Sequence, residues 1–402
     1  MTWQTGSNLD VRLKVQTALG SAATGASGES LRVVKGSPGM RFLNALIESN
    51  ELRSDGMTIR GRHGSGRAEG SYNCEVSLDS FDTPFEAVTR GTWAAEATRT
   101  YDNSAGLTSL EVTGTGEITQ VGTTTLIGAV YQGDRIKLAG MSNAANNDVW
   151  CRVTNVTATI ITVAGAPLTV QIADIACTLT VARKLVSADP PTERYFTVEQ
   201  YNTDIDLSEY FTDVKFTGMR FQKRPDSPIL VTFTLVGLDG GPLATGSSPT
   251  LTDPTEFTTR PLVMADGVVR IGGTDYTGVT GFDLSIDNRA TVPEVLAANA
   301  PDVFSGNQRV SGSFTTLITD FDHFTAAKAE TQQDIDIQMN EPDTANPVDF
   351  LGLYLGDVVL DSHDAPLGED GPRIATVNFR AGKDEGGSDR DATIVKLTTS
   401  AT

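Results

Sequence analysis

Two copies of one sequence pattern lie far apart in the chain, and they decide the fold. The first copy is "GMRFLNALIES" at residues 39–49 with "EGSYNCEVSL" at residues 69–78, and the second is "GVTGFDLSIDN" at residues 278–288 with "VSGSFTTLI" at residues 310–318. Apolar and polar residues alternate in these segments, as in strands that bury one face. Because an internal repeat indicates a duplicated structural unit, we predict two related β-domains.

A short helix is predicted after each strand pair. Thr83 and Glu86 fit a reciprocal capping box with a proline between them, which predicts a helix over residues 84–98. A Phe-Asp pair opens both predicted helices, at residues 81–82 and 321–322. The helix is therefore part of the repeated unit.

The second half of the repeat supports the same division. Three apolar residues of one predicted strand recur at identical spacing in a later strand, and a glycine-rich turn follows each of them. The matching positions are Phe211, Val214 and Phe216 with Phe350, Leu353 and Leu355, and the turns are "GLDGG" from Gly237 and "GKDEGG" from Gly382.

These matches divide the chain into four segments. Residues 1–28, rich in Gly, Ser, Ala and Thr, are expected to form an arm or long loop with little core of its own. Residues 29–107 and 188–250 form the first unit, and residues 251–402 form the second. Residues 108–187 consist of short β-runs parted by turns and form an inserted β-domain that splits the first unit.

Composition excludes several classes of protein. The chain has 39 glycines and 17 prolines, which favour short strands joined by tight turns and hence a mainly β fold. Its formal net charge of −20 repels phosphate, so a protein that reads DNA sequence is not expected. The three cysteines have no CxxC pairing and indicate reduced thiols. We also expect no classical export signal and no membrane insertion.

No motif for catalysis or cofactor binding emerges. "GSGRAEG" at residues 64–70 approaches the dinucleotide-binding glycine pattern, but Glu69 replaces the third glycine and a strand follows instead of a helix. The histidines His63, His323 and His363 are too few and too scattered for a zinc site or a catalytic triad. We therefore predict no catalytic residue, no cofactor and no metal.

Several pairs and runs of carboxylates have no metal-binding spacing. None of them matches the EF-hand pattern, and in a chain this acidic we expect them on solvated strand faces and hairpin tips. They are Asp204 with Asp206, Asp334 with Asp336, and the run Asp384, Glu385, Asp389 and Asp391.

One local basic cluster stands out in this acidic chain, formed by Arg60, Arg62, His63 and Arg67 among glycines. It has two interpretations that the residues leave open. The cluster forms a socket for carboxylates of a neighbouring subunit, or it is a flexible hairpin loop whose charges are solvated.

Three segments in this order resemble the major tail tube proteins of long, non-contractile-tailed bacteriophages of the siphovirus type. They are "ALIESNELRSD" at residues 45–55, "RYFTVEQYNTDIDLSEYFTDVKFTGM" at residues 194–219 and "RIGGTDYTGVTGFDLSIDN" at residues 270–288. The resemblance implies two tandem β-sandwich or barrel domains, each with a short flanking helix, and a small inserted β-barrel or Ig-like domain.

The resemblance also implies a function. A non-enzymatic chain of this kind forms homotrimeric rings with pseudo-six-fold symmetry, which stack into an acidic-lined tube for DNA ejection. Its implied partners are further copies of itself, the tape measure protein and transiently viral DNA in the lumen, and the tail terminator and distal tail proteins at the ends. It implies no membrane partner and a place in the virion, assembled in the host bacterial cytoplasm.

Two further expectations concern particular parts of the chain. Arg60, Arg62 and Arg67 are candidates for contacts between stacked rings. The insertion is expected on the outside of the tube, so that deletion of residues 108–187 leaves tube formation intact.

Other functions remain open from the sequence. A carbohydrate-binding adhesin would have an aromatic-lined groove and behave as a monomer. A polysaccharide-degrading enzyme would place two carboxylates about 5 to 9.5 Å apart in a cleft. A virion decoration protein would share the acidity but would not need the duplication.

Overall fold

The computed structural model describes Gly6 and residues 8–102, 109–114, 116–121, 130–165, 168–243, 249–263, 267–295, 300–340, 349–367, 372–386 and 391–400. The mainly β prediction is confirmed, with 53% of residues in strands and 5% in helices. The strands form one sheet of 17 and one of 8.

The elements follow in chain order. Before the insertion come β1 (Leu9–Val15), β2 (Glu29–Leu31), β3 (Gly39–Ile47), β4 (Arg62–Glu75) and α1 (Asp82–Thr89). The smaller sheet contains β5 (Ala97–Tyr101), β6 (Ser109–Gly114), β7 (Glu117–Val121), β8 (Arg135–Ala139), a 3-10 turn (Ala144–Asn146), β9 (Cys151–Val156), β10 (Ile160–Ala164), β11 (Gln171–Asp174) and β12 (Cys177–Val181).

The rest of the chain returns to the larger sheet. It contributes β13 (Arg183–Leu185), β14 (Phe196–Asn202), β15 (Leu207–Lys223), β16 (Leu230–Gly237) and β17 (Asp239–Pro242). After these come β18 (Val268–Ile271), β19 (Thr274–Tyr276), β20 (Val279–Asp287), β21 (Arg309–Leu317), α2 (Asp322–Ala329), β22 (Gln333–Asn340), β23 (Phe350–Asp364), β24 (Ile374–Gly382) and β25 (Lys396–Thr399).

Strand pairing repeats from one half of the chain to the other. In the first half β1 pairs with β14, β14 with β15, and β15 with β16 and β17. In the second half β18 pairs with β22, β22 with β23, and β23 with β24 and β25. The long strands β15 and β23 therefore hold equivalent places, each bridging the two layers around its unit's part of one continuous apolar core.

The N-terminal region corrects one expectation. Leu9–Val15 is a strand that pairs with β14 along its whole length, and Val11 and Leu13 are buried in the core. An arm with little core is therefore the wrong description for this part of residues 1–28. The alternation of Leu9, Val11, Leu13 and Val15 is the signal of this strand, and the Gly- and Ser-rich residues after it obscured it.

The first helix is shorter than predicted, because it ends at Thr89 and not near residue 98. Arg90 adopts a left-handed conformation with φ 56°, which ends the helix. The capping box is also absent: the Thr83 hydroxyl donates to Glu29 Oε1, and Glu86 Oε1 accepts from the backbone N–H of Trp93. Both side chains thus bond outside the helix start.

The inserted strands form the smaller sheet around a core of their own. This sheet begins earlier than the expected boundary at residue 108, because β5 at Ala97–Tyr101 pairs with β12. The three buried cysteines are free, and burial raises the pKa of the Cys151 thiol to about 12.

Buried ion pairs join the insertion to the second half of the chain. Lys396 Nζ lies 2.8 Å from Asp134 Oδ1 and 2.5 Å from Asp391 Oδ2, and both Lys396 and Asp134 are about 1% exposed at the side chain. Lys184 Nζ completes the cluster, 3.1 Å from Asp134 and 3.2 Å from Asp391. We call these four residues the lysine cluster.

A second ionic contact lies beside it. Arg135 Nη2 is 2.5 Å from Asp336 Oδ1, and Arg152 Nη2 is 2.8 Å from Asp275 Oδ1. Asp336 was expected on a solvated face, but it is buried between these two arginines. The insertion therefore interrupts the first unit in sequence and is held by the second unit in space.

Candidate assembly interface

The two halves of the chain join edge to edge. Residues Gly218–Lys223 of β15 pair antiparallel with Phe282–Asp287 of β20. On their other sides β15 pairs with β16 and β20 with β21. The strands β3, β4, β16, β15, β20, β21, β24 and β23 consequently form one continuous eight-stranded surface.

A charged pair crosses this joint on the face away from the core. Arg220 Nε lies 2.8 Å from Asp283 Oδ1 and 3.0 Å from Oδ2, and Arg220 Nη2 also bonds Oδ2. Gln222 Nε2 donates to the same carboxylate at 3.3 Å. This bidentate pair fixes the register of the two halves, since guanidinium and carboxylate match in geometry. Its hydrogen bonding raises the pKa of Arg220.

The connection between β20 and β21 folds over the first helix. Asn288 Nδ2 and Gln308 Nε2 donate to the carbonyl oxygen of Val88, at 2.9 and 3.1 Å. Arg90 Nη1 donates to the Gly306 carbonyl at 3.1 Å. The two bonds to Val88 satisfy an acceptor at the end of α1, where helical carbonyls lack internal partners.

Two strand edges that correspond to this joint have a partner on one side only. Among the described residues, the end of β23 at Val359–Asp364 pairs with β24 alone, and β3 pairs with β4 alone. β23 holds the place of β15 in its unit, and β3 holds the place of β20. The eight-stranded surface of one chain therefore ends in β3 on one side and in β23 on the other. These two strands are the counterparts of β20 and β15, which pair with each other in its middle.

The second helix is exposed where the first is covered. Phe321 is 58% exposed, whereas Phe81 at the same place before α1 is fully buried. Phe324 is 50% exposed. His323 is buried between Tyr276 and Phe314, and burial lowers its pKa. The outer face of α2 thus lacks the cover that the β20–β21 connection gives to α1.

The face of the eight-stranded surface away from the core is polar and carries charges of both signs. Cross-strand pairs join Arg41 to Glu69 at 3.0 Å and Arg380 to Asp361 at 3.3 Å, and within β4 Arg67 lies 3.3 Å from the same Glu69. The charged residues on this face are Arg41, Arg67, Arg220, Arg309 and Arg380 with Glu69, Glu75, Asp283, Asp287 and Asp361. Asp357 and Asp364, opposite Gly382 and Thr376, lie on it as well, so carboxylates outnumber arginines.

The predicted basic cluster lies on the β3–β4 hairpin. Arg60, Arg62 and His63 line a shallow cavity of about 490 Å³ at the hairpin end, and Arg62 and His63 pair with Ile47 and Leu46. Arg67 lies farther along β4, where it is paired with Glu69. The structure therefore brings Arg60 and Arg62 together and separates Arg67 from them.

Sequence reasoning missed Arg220 and Asp283, the pair across the joint. Each of them belongs to a segment with a strand pattern, but nothing in one segment identifies its partner 63 positions away. In the part of the chain that the structure describes, no cluster of three or more His, Cys, Asp and Glu residues could hold a metal ion. No described helix is long and apolar enough to cross a membrane.

The sequence profile of the family described as phage tail tube protein matches residues 6–381. The chain belongs to the phage tail tube protein family. No curated protein matches it. Membership of the tail tube family makes the chain a structural component of the virion that assembles with itself and with other tail proteins.

Proposed function

We propose that this tail tube protein polymerises head to tail into closed rings of three chains. The joint between β15 and β20 carries the proposal. The open end of β23 in one chain pairs with the open edge of β3 in the next, as β15 pairs with β20 inside the chain. Each chain supplies two units, so three chains supply the six of a pseudo-six-fold ring.

Closure removes a hazard of the single chain. Strands with unpaired edges recruit other strands without limit unless they are covered or paired. A head-to-tail contact generates a ring when its rotation closes, and then no edge remains. In the closed ring, the open edge of β23 in each chain pairs with the open edge of β3 in the next chain, so neither edge stays exposed.

The eight-stranded surface lines the lumen of the proposed ring, with its polar face toward the passing DNA. The arginines on that face are largely paired with carboxylates. A guanidinium already bonded to a carboxylate is a poor partner for phosphate, so DNA slides past it. We propose this mixed and paired lining in place of the uniformly acidic one that the net charge suggested.

The remaining assignments follow from this proposal. Rings stack into the tube of a long, non-contractile tail, assembled in the host bacterial cytoplasm, with the tape measure protein and then DNA in the lumen. The tail terminator and distal tail proteins close the ends. Within the chain, residues 9–94 and 183–250 form the first tube unit, residues 251–400 the second, and residues 97–181 the insertion on the outside.

Electron microscopy of the purified chain over a concentration series tests the proposal. We expect hollow tubes or stacked rings in which the insertion appears three times around each ring. Six insertions around a ring would contradict the three-chain arrangement, and a chain that stays monomeric in the presence of tail initiation proteins would contradict assembly altogether.

The basic hairpin end gives one prediction about stacking. Arg60→Glu combined with Arg62→Glu is expected to weaken contacts between rings and leave the rings themselves intact, because these arginines lie away from the joint. Sedimentation and microscopy should show more isolated rings, with the largest difference at low salt. Lys137→Glu, on β8 of the inserted sheet and away from the joint, is a control for charge reversal. Equal tube lengths for variant and wild type at low and high salt would contradict the role.

A further inference from the structure

Leu262 lies before β18, the first strand of the second unit, and it completes the backbone hydrogen bonding at the end of the first unit. Val76 N–H donates to the Ile229 carbonyl at 2.9 Å. Leu262 then bonds to both strands: its N–H donates to the Val76 carbonyl at 2.7 Å, and its carbonyl accepts from Ile229 N–H at 3.2 Å. The Leu262 side chain is fully buried in the core of the first unit.

In the second unit, no described residue occupies the same backbone site. Ile318 N–H donates to the Arg373 carbonyl at 3.0 Å, as Val76 does to Ile229. Among the described residues, no group donates to the Ile318 carbonyl and none accepts from Arg373 N–H. One donor and one acceptor therefore stand side by side in the geometry that binds Leu262 in the first unit.

An exposed apolar patch surrounds this site. Ile318 is half-buried, and Phe321, Phe324 and Ile374 are 58%, 50% and 42% exposed. In the first unit the matching Val76 and Phe81 are fully buried. Aromatic and aliphatic side chains grouped in this way beside unsatisfied backbone groups are typical of a site that receives an extended segment.

The segment that fits is the one before β1. β1 and β18 hold equivalent places in their units: Leu13 pairs with Val198 as Ile271 pairs with Ile335, each beside a matching bulge. Leu262 stands nine residues before Ile271, so the position equivalent to it, nine residues before Leu13, is Gln4. Its neighbour Trp3 offers a large apolar side chain.

We propose that the N-terminal segment of one chain docks on the second unit of the preceding chain, with Trp3 on the patch formed by Ile318, Phe321, Phe324 and Ile374. The inference rests on the proposed head-to-tail ring, in which the unit that follows a second unit is the first unit of the next copy. The segment adds backbone bonds to Ile318 and Arg373 and buries the patch. The N-terminal segment thus fills, between two chains, the same kind of backbone site that Leu262 fills within one chain.

A photo-crosslinking experiment locates the segment. The full-length chain carries the aromatic crosslinker benzoylphenylalanine in place of Trp3, and tagged and untagged copies are mixed before assembly. In tubes we expect crosslinks from position 3 to residues 318–324 or 372–374 of a different chain. The same crosslinker in place of Ile172, which is 85% exposed on the inserted sheet, is the matched control and should not reach this patch.

The outcomes separate the inference from the function on which it rests. Normal tubes in which position 3 crosslinks to its own chain, to another surface or to nothing would overturn the docking and leave the proposed function standing. Failure of the wild-type chain to form rings or tubes at all would overturn both.

A substitution series measures what the contact contributes. Trp3→Ala is expected to raise the lowest concentration that supports tubes by about tenfold, given the apolar area lost from each joint. Trp3→Phe keeps an aromatic ring and should stay within about twofold of wild type on the same scale. Equal thresholds for Trp3→Ala and wild type would also overturn the docking.

Discussion

Asn44→Pro is expected to abolish ring formation and leave a folded chain. On β3 the Met40 N–H points away from β4 and is bonded by the Gln200 side chain. By the alternation of a strand, the Asn44 N–H points to the same open edge, and its side chain is exposed. Proline there removes a donor that no bond inside the chain uses, which edge strands tolerate.

The effect on assembly should be large because the loss occurs at every joint of a ring. A missing ladder bond with a proline ring in the partner strand's path costs on the order of 3 kcal/mol per joint, or about a hundredfold in its affinity. Light scattering and microscopy over a concentration series measure the loss, and thermal unfolding of the monomer checks the fold. Asn44→Ala retains the N–H and should assemble. Tubes of Asn44→Pro at the wild-type threshold would show that β3 is not the joint.

Asp134→Ala is expected to lower the free energy of unfolding by about 3 to 5 kcal/mol, the usual result of removing one partner from a buried ion pair. Asp134 is the carboxylate that both lysines of the lysine cluster share, and Lys396 is about 1% exposed. Without it, one carboxylate, Asp391, faces two buried ammonium groups. Chemical denaturation with a single probe in the insertion and another in the second unit measures the change.

A matched control comes from an exposed pair. Asp361 and Arg380 form an ion pair in which the side chains are 56% and 62% exposed. Asp361→Ala removes this pair and should change the free energy of unfolding by less than about 1 kcal/mol. Equal losses for Asp134→Ala and Asp361→Ala would mean that the lysine cluster is not a buried anchor.

The same cluster revises the expectation that the insertion can be deleted without consequence. Deletion of residues 108–187 would remove Asp134, Arg135 and Arg152, the partners of Lys396 and Asp336, and would also remove β13, which pairs with β25 in the larger sheet. We therefore expect tubes only from a chain that lacks residues 97–181 and keeps β13, with Lys396→Met and Asp336→Asn accompanying the deletion.

The sequence predicted those parts of the fold that depend on local periodicity. The strand pairs around Gly70 and Gly312 and the presence of a helix after β4 and β21 were readable, because alternation and spacing reflect burial within one element. The match of Phe211 with Phe350 is wrong by five residues, because Phe211 pairs with Val198 as Leu355 pairs with Ile335. The length of α1 was not, since its end depends on Arg90 adopting a left-handed conformation. The burial of Asp336 and Lys396 could not be predicted either, because it depends on contact between the insertion and the second unit. No local sequence pattern shows which unit the insertion contacts.

The sequence identified no particular strand edge as the candidate interface. Duplication indicated that edges meet, but only the pairing of β15 with β20 identifies which edges stay open. The role of Arg60 and Arg62 between rings stays a prediction from composition, whereas Arg220 and Asp283 needed the register of two distant strands.

The covalent link between the halves also bears on the speed of ring formation. A ring of six separate units requires six bodies to meet, and its rate would rise with a high power of concentration. Here the β15–β20 joint forms within one chain, where the tether holds the partner strand at an effective concentration on the order of millimolar. Closure of the proposed ring then requires three chains, so we expect rings to nucleate while the protein is still dilute.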